Sequence, residues 1–373
     1  MTFIAFIVAI VLLVGFHELG HFSAARLVGV QVLKFSIGFG KPIWKSKPKS
    51  PTHTQWIVSS IPLGGYVKML DSREPDSSMS ILDYSHAFDR QVLWKRSLIV
   101  VAGPIANFVL AWVLLTAIFV TYPKQLKPIL AEPPAESLAY SLGVKEGDEI
   151  MSWSSDSDGC HLPSSEYQTA LSWNQMRWKI LKSAMHRDDL CLRLRSSDGS
   201  RREVVFLGAR LSTLDPKIDM YTQLGIRPVQ KEPLPWFYLD ISITAAMGYA
   251  LDRIWDISII SLWNIKDMLM GDASIKQIGG PLSIADMAGK SAQVGFHSYL
   301  SFLALISISL GILNLLPFPL LDGGQLMYDL WELATGRKVS MSFQLILQRI
   351  GVFGLLLLTL FAFANDLSRM LIR

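Results

Sequence analysis

Cysteine is nearly absent from this chain. Cys160 and Cys191 are the only two in 373 residues, which excludes a disulfide framework and a cysteine-rich zinc module. If the segment that holds them is periplasmic they could pair, although two buried free thiols are the expectation. Charge is scarce as well. Asp, Glu, Lys and Arg make up 18% of the residues against 50% hydrophobic, with a net charge of +4. That is too apolar for an ordinary soluble protein and too charged for one wholly embedded in lipid. A membrane protein with a soluble insert fits. The basic residues gather beside apolar stretches and form no stripe, so nucleic-acid binding has no support. Internal repeats and low-complexity tracts are missing too. The first apolar segment lacks a basic leader, and so reads as a retained span and not as a signal peptide.

Four stretches are long and apolar enough to span a bilayer: about residues 2–26, Ser97 to Tyr122, Phe296 to Leu321, and about 350–365. Residues 29–96 hold ten Lys or Arg against five acids, which makes this loop cytoplasmic by the positive-inside rule. Both termini and the long segment 123–295 then face the other side. The division expected is 1–122 (two spans and the basic loop), 123–235 (soluble domain and linker), 236–295 (amphipathic helical segment) and 296–373 (two spans). The Trp- and Met-rich part of the third, 236–270, is expected to lie at the interface or pack on the spans.

In the basic loop, Thr54 to Ser60 and Tyr66 to Leu70 are β-prone runs joined by Pro62-Leu63-Gly64-Gly65, the pattern of a hairpin. Phe35 to Gly40 precedes them. Residues 128–227 read as a compact α+β domain. Trp173 to Ala184 has helical periodicity, while Leu190 to Arg195 and Glu203 to Leu207 alternate as strands around Ser197-Asp198-Gly199.

The first span carries His17-Glu18-Leu19-Gly20-His21. Residues four apart share one helix face, so the two imidazoles can hold one metal ion, with Glu18 beside it to take a proton from a bound water. Ionisable groups at membrane depth are costly, and their default reading is functional. A hydrolytic zinc site usually has three protein ligands. Asp322 is the carboxylate that stands out, because it follows 26 residues free of Asp, Glu, Lys and Arg and the helix breakers Pro317 and Pro319. Alone it would equally suit an interfacial helix cap; beside the His pair, the ligand reading is preferred.

With these motifs the sequence resembles the site-2 protease family of intramembrane zinc metalloproteases, and within it the bacterial sigma-E-regulating branch. His17 to His21 matches the family's HExxH, and Leu321-Asp322-Gly323 its LDG motif. Asn314 and Pro317 stand in its NxxPxPxLDG element. Phe35 to Gly40, Gly64 to Met69 and Gly103 to Phe108 match further signatures. The resemblance implies Zn2+ bound by His17, His21 and Asp322, Glu18 as general base, and Asn314 contacting substrate. It implies a PDZ domain over 128–227, one where enterobacterial members carry two in tandem. It also implies a location in the bacterial inner membrane and a single-span membrane substrate, an anti-sigma factor or remnant signal peptides. The fold expected is an α-helical polytopic membrane protein of about four transmembrane helices, with a membrane-associated β-hairpin and an inserted α+β PDZ-like domain.

A helix in lipid has its amides bonded internally, and unwinding it strands N–H and C=O groups at several kcal/mol each. An edge strand can replace those bonds. Gly64, Gly65, Tyr66, Val67 and Lys68 are the expected substrate-binding residues, and the resemblance likewise puts a re-entrant hairpin here. The rival reading is a membrane metal-binding or transport protein without hydrolytic activity, since intramembrane His and Asp also mark ion pathways. Glu18 would have no clear task in it.

Overall fold

The computed structural model describes residues 2–47, 53–73, 84–122, 124–156, 167–211, 220–271 and 279–371. The chain begins with α1 (Thr2–Leu27), β1 (Val32–Lys45), β2 (Gln55–Met69) and α2 (Leu93–Thr121). Next come β3 (Lys124–Leu126), α3 (Leu138–Ser141), β4 (Glu149–Asp156), β5 (Gln168–Thr169), α4 (Trp173–His186), β6 (Asp189–Arg195) and β7 (Arg201–Phe206). Then follow α5 (Gly208–Leu211), α6 (Met220–Leu224), β8 (Trp236–Tyr238) and α7 (Ile243–Met270). The chain closes with α8 (Pro281–Val294), α9 (Phe296–Leu315), α10 (Asp322–Thr335) and α11 (Met341–Leu371). Two compact units result: residues 1–115 together with 276–373, and residues 116–275. The segment 236–295, expected as one piece, is divided between them, α7 in one unit and α8 in the other.

Four helices of the described residues are long and apolar enough to cross a membrane: Thr2–Leu27, Leu93–Thr121, Phe296–Leu315 and Met341–Ser368, with mean hydropathies of 1.8 to 2.4. The third stops six residues short of the expected Leu321. Pro317 lacks an amide proton and pushes Leu316 out of helical geometry; Leu316 is indeed extended, with ψ of 144°. The fourth starts earlier than expected, because its first turns are amphipathic and carry no long apolar run to mark them.

In the first unit, β2 is one continuous strand and not two arms of a hairpin. The Pro-Gly-Gly stretch was expected to turn the chain, but the partner of both runs is β1. Lys34 to Ile37 meet Lys68 to Gly65 on one side and Gln55 to Val58 on the other, while Phe39 to Lys45 pair with Ile61 to Ile57. Residues 65–69 therefore sit outermost, and among the described residues no further strand pairs with them.

The second unit holds a four-stranded antiparallel sheet in the order β5-β4-β6-β7. Alternation along β6 sends Leu190, Leu192 and Leu194 into one core with Met176 and Ile180 of α4. Ser172 caps α4 by accepting from the Gln175 amide. Helix α7 packs on α4 and also touches the end of a span, its Tyr249 ring lying 6.4 Å from the Phe119 ring of α2. Lys179 of α4 reaches Asp256 at 2.6 Å and Asp252 at 2.9 Å, and Arg253 donates to the Asn174 carbonyl at 3.0 Å. A lysine buried this deeply needs such partners, and the face of α7 that supplies them is thereby fixed against α4. Cys191 is disulfide-bonded, contrary to the expectation of free thiols; the chain's other cysteine, Cys160, lies outside the described residues.

Candidate metal centre

One turn of α1 separates His17 from His21, and both rings point their Nε2 atoms the same way, 3.2 Å apart. Asp322 Oδ2 lies 3.3 Å from the first and 3.4 Å from the second. Ligands held about 2.0–2.1 Å from a tetrahedral ion are separated by about 3.3–3.4 Å, so the three atoms occupy three corners of such a site. Asp322 Oδ2 is buried and accepts no hydrogen bond from any of the described residues. An anionic oxygen left so in a buried place suits a cation. Two imidazoles and a carboxylate with a fourth corner free are the donor set of hydrolytic zinc. Asp322 arrives there because the chain turns through the two prolines, with the Leu321 amide donating to the Phe318 carbonyl, and α10 starts at Asp322 itself.

Helix α2 forms the wall behind the pair. A methyl group on Gly103 would meet His21 Nε2 at 2.3 Å and His17 Cε1 at 2.8 Å, so glycine is what lets the rings lie against this helix. His21 Nδ1 bonds the Ile99 carbonyl at 2.8 Å, and His17 Nδ1 lies 3.1 Å from Asn107 Nδ2. Asn107 is fully buried, and its backbone carbonyl accepts from Ser307 Oγ of α9 at 2.7 Å. Sequence reasoning quoted Asn107 only as part of a signature; a lone amide in an apolar run was the available signal.

A cleft of about 580 Å³ opens at the centre. Glu18, His21 and Asp322 line it together with Tyr66, Val67, Lys68 and Met69 of β2. Gly65 lies beside Glu18: a methyl group there would stand 3.0 Å from Glu18 Cγ and 2.7 Å from the Ser36 carbonyl. Gly64 packs under the Phe39 ring, away from the lining. Asn314, on α9, is also not among the lining residues. The lining also includes residues without a sequence-based role, among them Gln325 and Tyr328, and the Tyr328 hydroxyl is buried with no partner among the described residues. Below them Arg96 pairs with Glu332 at 2.6 Å and Ser97 donates to Asp329 at 2.8 Å. Burial raises the Asp329 carboxyl above its ordinary range, with Ser97 and Arg96 acting against it.

Comparison with known proteins identifies a family. Residues 5–358 match the sequence profile of Peptidase family M50. A Ralstonia nicotianae protein named as a candidate zinc metalloprotease is 32% identical, with 99% of each chain covered. The regulator of sigma E protease of Haemophilus influenzae is 31% identical over 98% of each chain. The regulator of sigma-E protease of Escherichia coli is 29% identical, again over 98% of each.

Proposed function

The chain belongs to peptidase family M50 and is an intramembrane zinc metalloprotease, and on that premise we propose its residue roles, substrates and orientation. His17, His21 and Asp322 hold the ion, and their spacing is the observation that carries the assignment. Zinc bound there supplies Lewis acidity towards a peptide carbonyl and makes water a usable nucleophile near neutral pH. Glu18 is the general base: it lines the cleft beside His21 and is not one of the three metal-facing donors. A transport reading is not favoured, since it leaves Glu18 idle.

The substrate is a single-span membrane protein, an anti-sigma factor of the envelope stress response before others, with remnant signal peptides as a second class. The names of the sigma-E relatives support this. Residues Tyr66 to Lys68 hold the extended substrate by strand addition, with Gly65 giving the strand its close approach to Glu18. Asn314 is kept as a substrate contact on the motif alone.

Residues 29–96 face the cytoplasm, while both termini and the long segment 123–295 face the periplasm. The basic loop supports this, as does the bonded Cys191, since disulfides persist in oxidising compartments. Residues 128–227 form a single PDZ-like domain that filters substrates. The alignments run over 444 to 463 positions against 373 residues here, so the relatives carry extra sequence on the scale of one small domain. Cleavage of a single-span substrate by purified protein, with and without a chelator, tests the whole reading. Cleavage that persists after the metal is removed, or no cleavage of any transmembrane substrate, would sink it.

A further inference from the structure

We propose that Asn107 fixes the imidazole of His17 for metal binding, its side-chain carbonyl accepting the Nδ1 proton. This rests on the zinc reading of the His17–His21–Asp322 triad. In that triad both histidines present Nε2. A neutral imidazole that gives its Nε2 lone pair to a metal carries its proton on Nδ1, and that N–H needs an acceptor. His21 has one, the Ile99 carbonyl at 2.8 Å. His17 Nδ1 instead faces the Nδ2 of Asn107 at 3.1 Å, and two N–H groups cannot bond each other.

The same amide carries the remedy. Asn107 Oδ1 is buried and accepts no hydrogen bond from any of the described residues. The oxygen and nitrogen of a side-chain amide occupy nearly equivalent volumes, so a half-turn about its last torsion puts Oδ1 opposite His17 Nδ1. The orientation present suits the other tautomer, in which His17 carries its proton on Nε2 and its Nδ1 accepts from Asn107. The reversed orientation suits ligation. Asn107 can serve either state, whereas the Ile99 carbonyl can only accept. A fully buried amide inside an apolar span is costly unless it is paired, and Ser307 ties this point of α2 to α9. Asn107 is thus a positioning residue, one layer outside the ligands.

The test compares Asn107→Leu with Asn107→Asp in full-length protein, reading zinc affinity by competition with a chromophoric chelator. Loss of the acceptor should weaken zinc binding by about 10–100-fold in Asn107→Leu. Asn107→Asp should stay near wild type, because a carboxylate accepts from Nδ1–H and cannot donate. The zinc-dependent rise in Tm should shrink in the leucine variant while the metal-free Tm holds, which separates ligation from folding. In ¹⁵N-histidine spectra of zinc-loaded protein, the His17 Nδ1 proton resonance should move in Asn107→Leu and that of His21 should not. Wild-type affinity in Asn107→Leu, or equal losses in both variants with the His17 resonance unmoved, would overturn the assignment. Absence of zinc binding by the wild type would instead overturn the zinc reading itself.

Discussion

The β1–β2 sheet and the four-stranded sheet of this protein are made of similar residues and do opposite things with them. In the 116–275 unit, β6 and β7 keep one register from Leu190–Phe206 to Arg195–Arg201, and Leu190, Leu192 and Leu194 are at most 1% exposed. The β1–β2 sheet slips register repeatedly. It leaves Ile43 73% and Trp44 56% exposed, with Phe39 and Ile61 also uncovered. In water such a surface would invite aggregation; among four apolar helices it suits lipid. The closed sheet spends its apolar side chains on its own stability. The open one keeps an apolar face and an outer strand, residues 65–69, available beside Glu18.

The largest effects should come from the metal centre that the open sheet adjoins. Glu18→Gln should lower cleavage by about 10²–10⁴-fold with zinc content unchanged, because the base is not a ligand. Asp322→Asn should lose zinc and activity together, an amide being a poor replacement for an anionic ligand. Metal analysis of both purified variants checks this. Full zinc occupancy and normal turnover in Asp322→Asn would remove that residue from the site.

Proline substitution then sets the two sheets against each other. Placed singly at Tyr66, Val67 and Lys68, it should cut catalytic efficiency only where the lost N–H faces the substrate, so the effect should alternate along the strand. Zinc content should hold at those positions. The same change at Leu192 in the inner strand β6, paired with Trp153 on one side and Val204 on the other, should destabilise its own unit by breaking the ladder and spare hydrolysis of a short substrate. Wild-type rates in all three β2 variants would reduce that strand to a surface element.

How much of this was legible depended on how far each feature reaches along the chain. The HExxH and LDG motifs carry their chemistry locally, so the ligand candidates could be named even though 300 residues separate them. The strands and helix of the 116–275 unit follow from local period. The pairing of β1 with both ends of β2 does not: Pro62, Gly64 and Gly65 are ordinary turn signals, and only the presence of β1 makes the chain run on as one strand. Asn107 and Tyr328 were invisible for another reason. Each is a single polar residue on an otherwise unremarkable helix face, and its role exists only once a neighbouring helix presents a group to it. The bond at Cys191 was misjudged because two cysteines in a sequence say nothing of their separation in space.

A smaller effect is expected from removing the closed sheet altogether. Deletion of 128–227 should leave hydrolysis of a short transmembrane substrate intact, because the triad and the cleft lie in the other unit. Cleavage of untrimmed substrates should rise. Loss of all activity in a well-folded deletion variant would give the domain an essential part in catalysis.

The smallest effect sharpens what the 116–275 unit contributes to stability. His186 ends α4 with its ring 4.5 Å from the Trp263 ring of α7, and its Nε2 is buried without a partner among the described residues. Burial holds its pKa below the ordinary histidine value, and Lys182 adds to that effect while Asp188, 3.9 Å from Nδ1, opposes it. The folded state therefore binds fewer protons than the unfolded state in the window just below the ordinary histidine pKa of about 6.5. Stability rises with pH wherever the unfolded state holds more protons, so this contribution is full above about pH 6.5 and is lost as pH falls towards the folded value. His186→Gln removes the titration while keeping a polar side chain at the helix end. Denaturant unfolding followed by tryptophan fluorescence, at pH 7.5 and again about two units lower, should show a shallower pH dependence in the variant than in the wild type. Equal slopes would mean that the α4–α7 contact is indifferent to this proton.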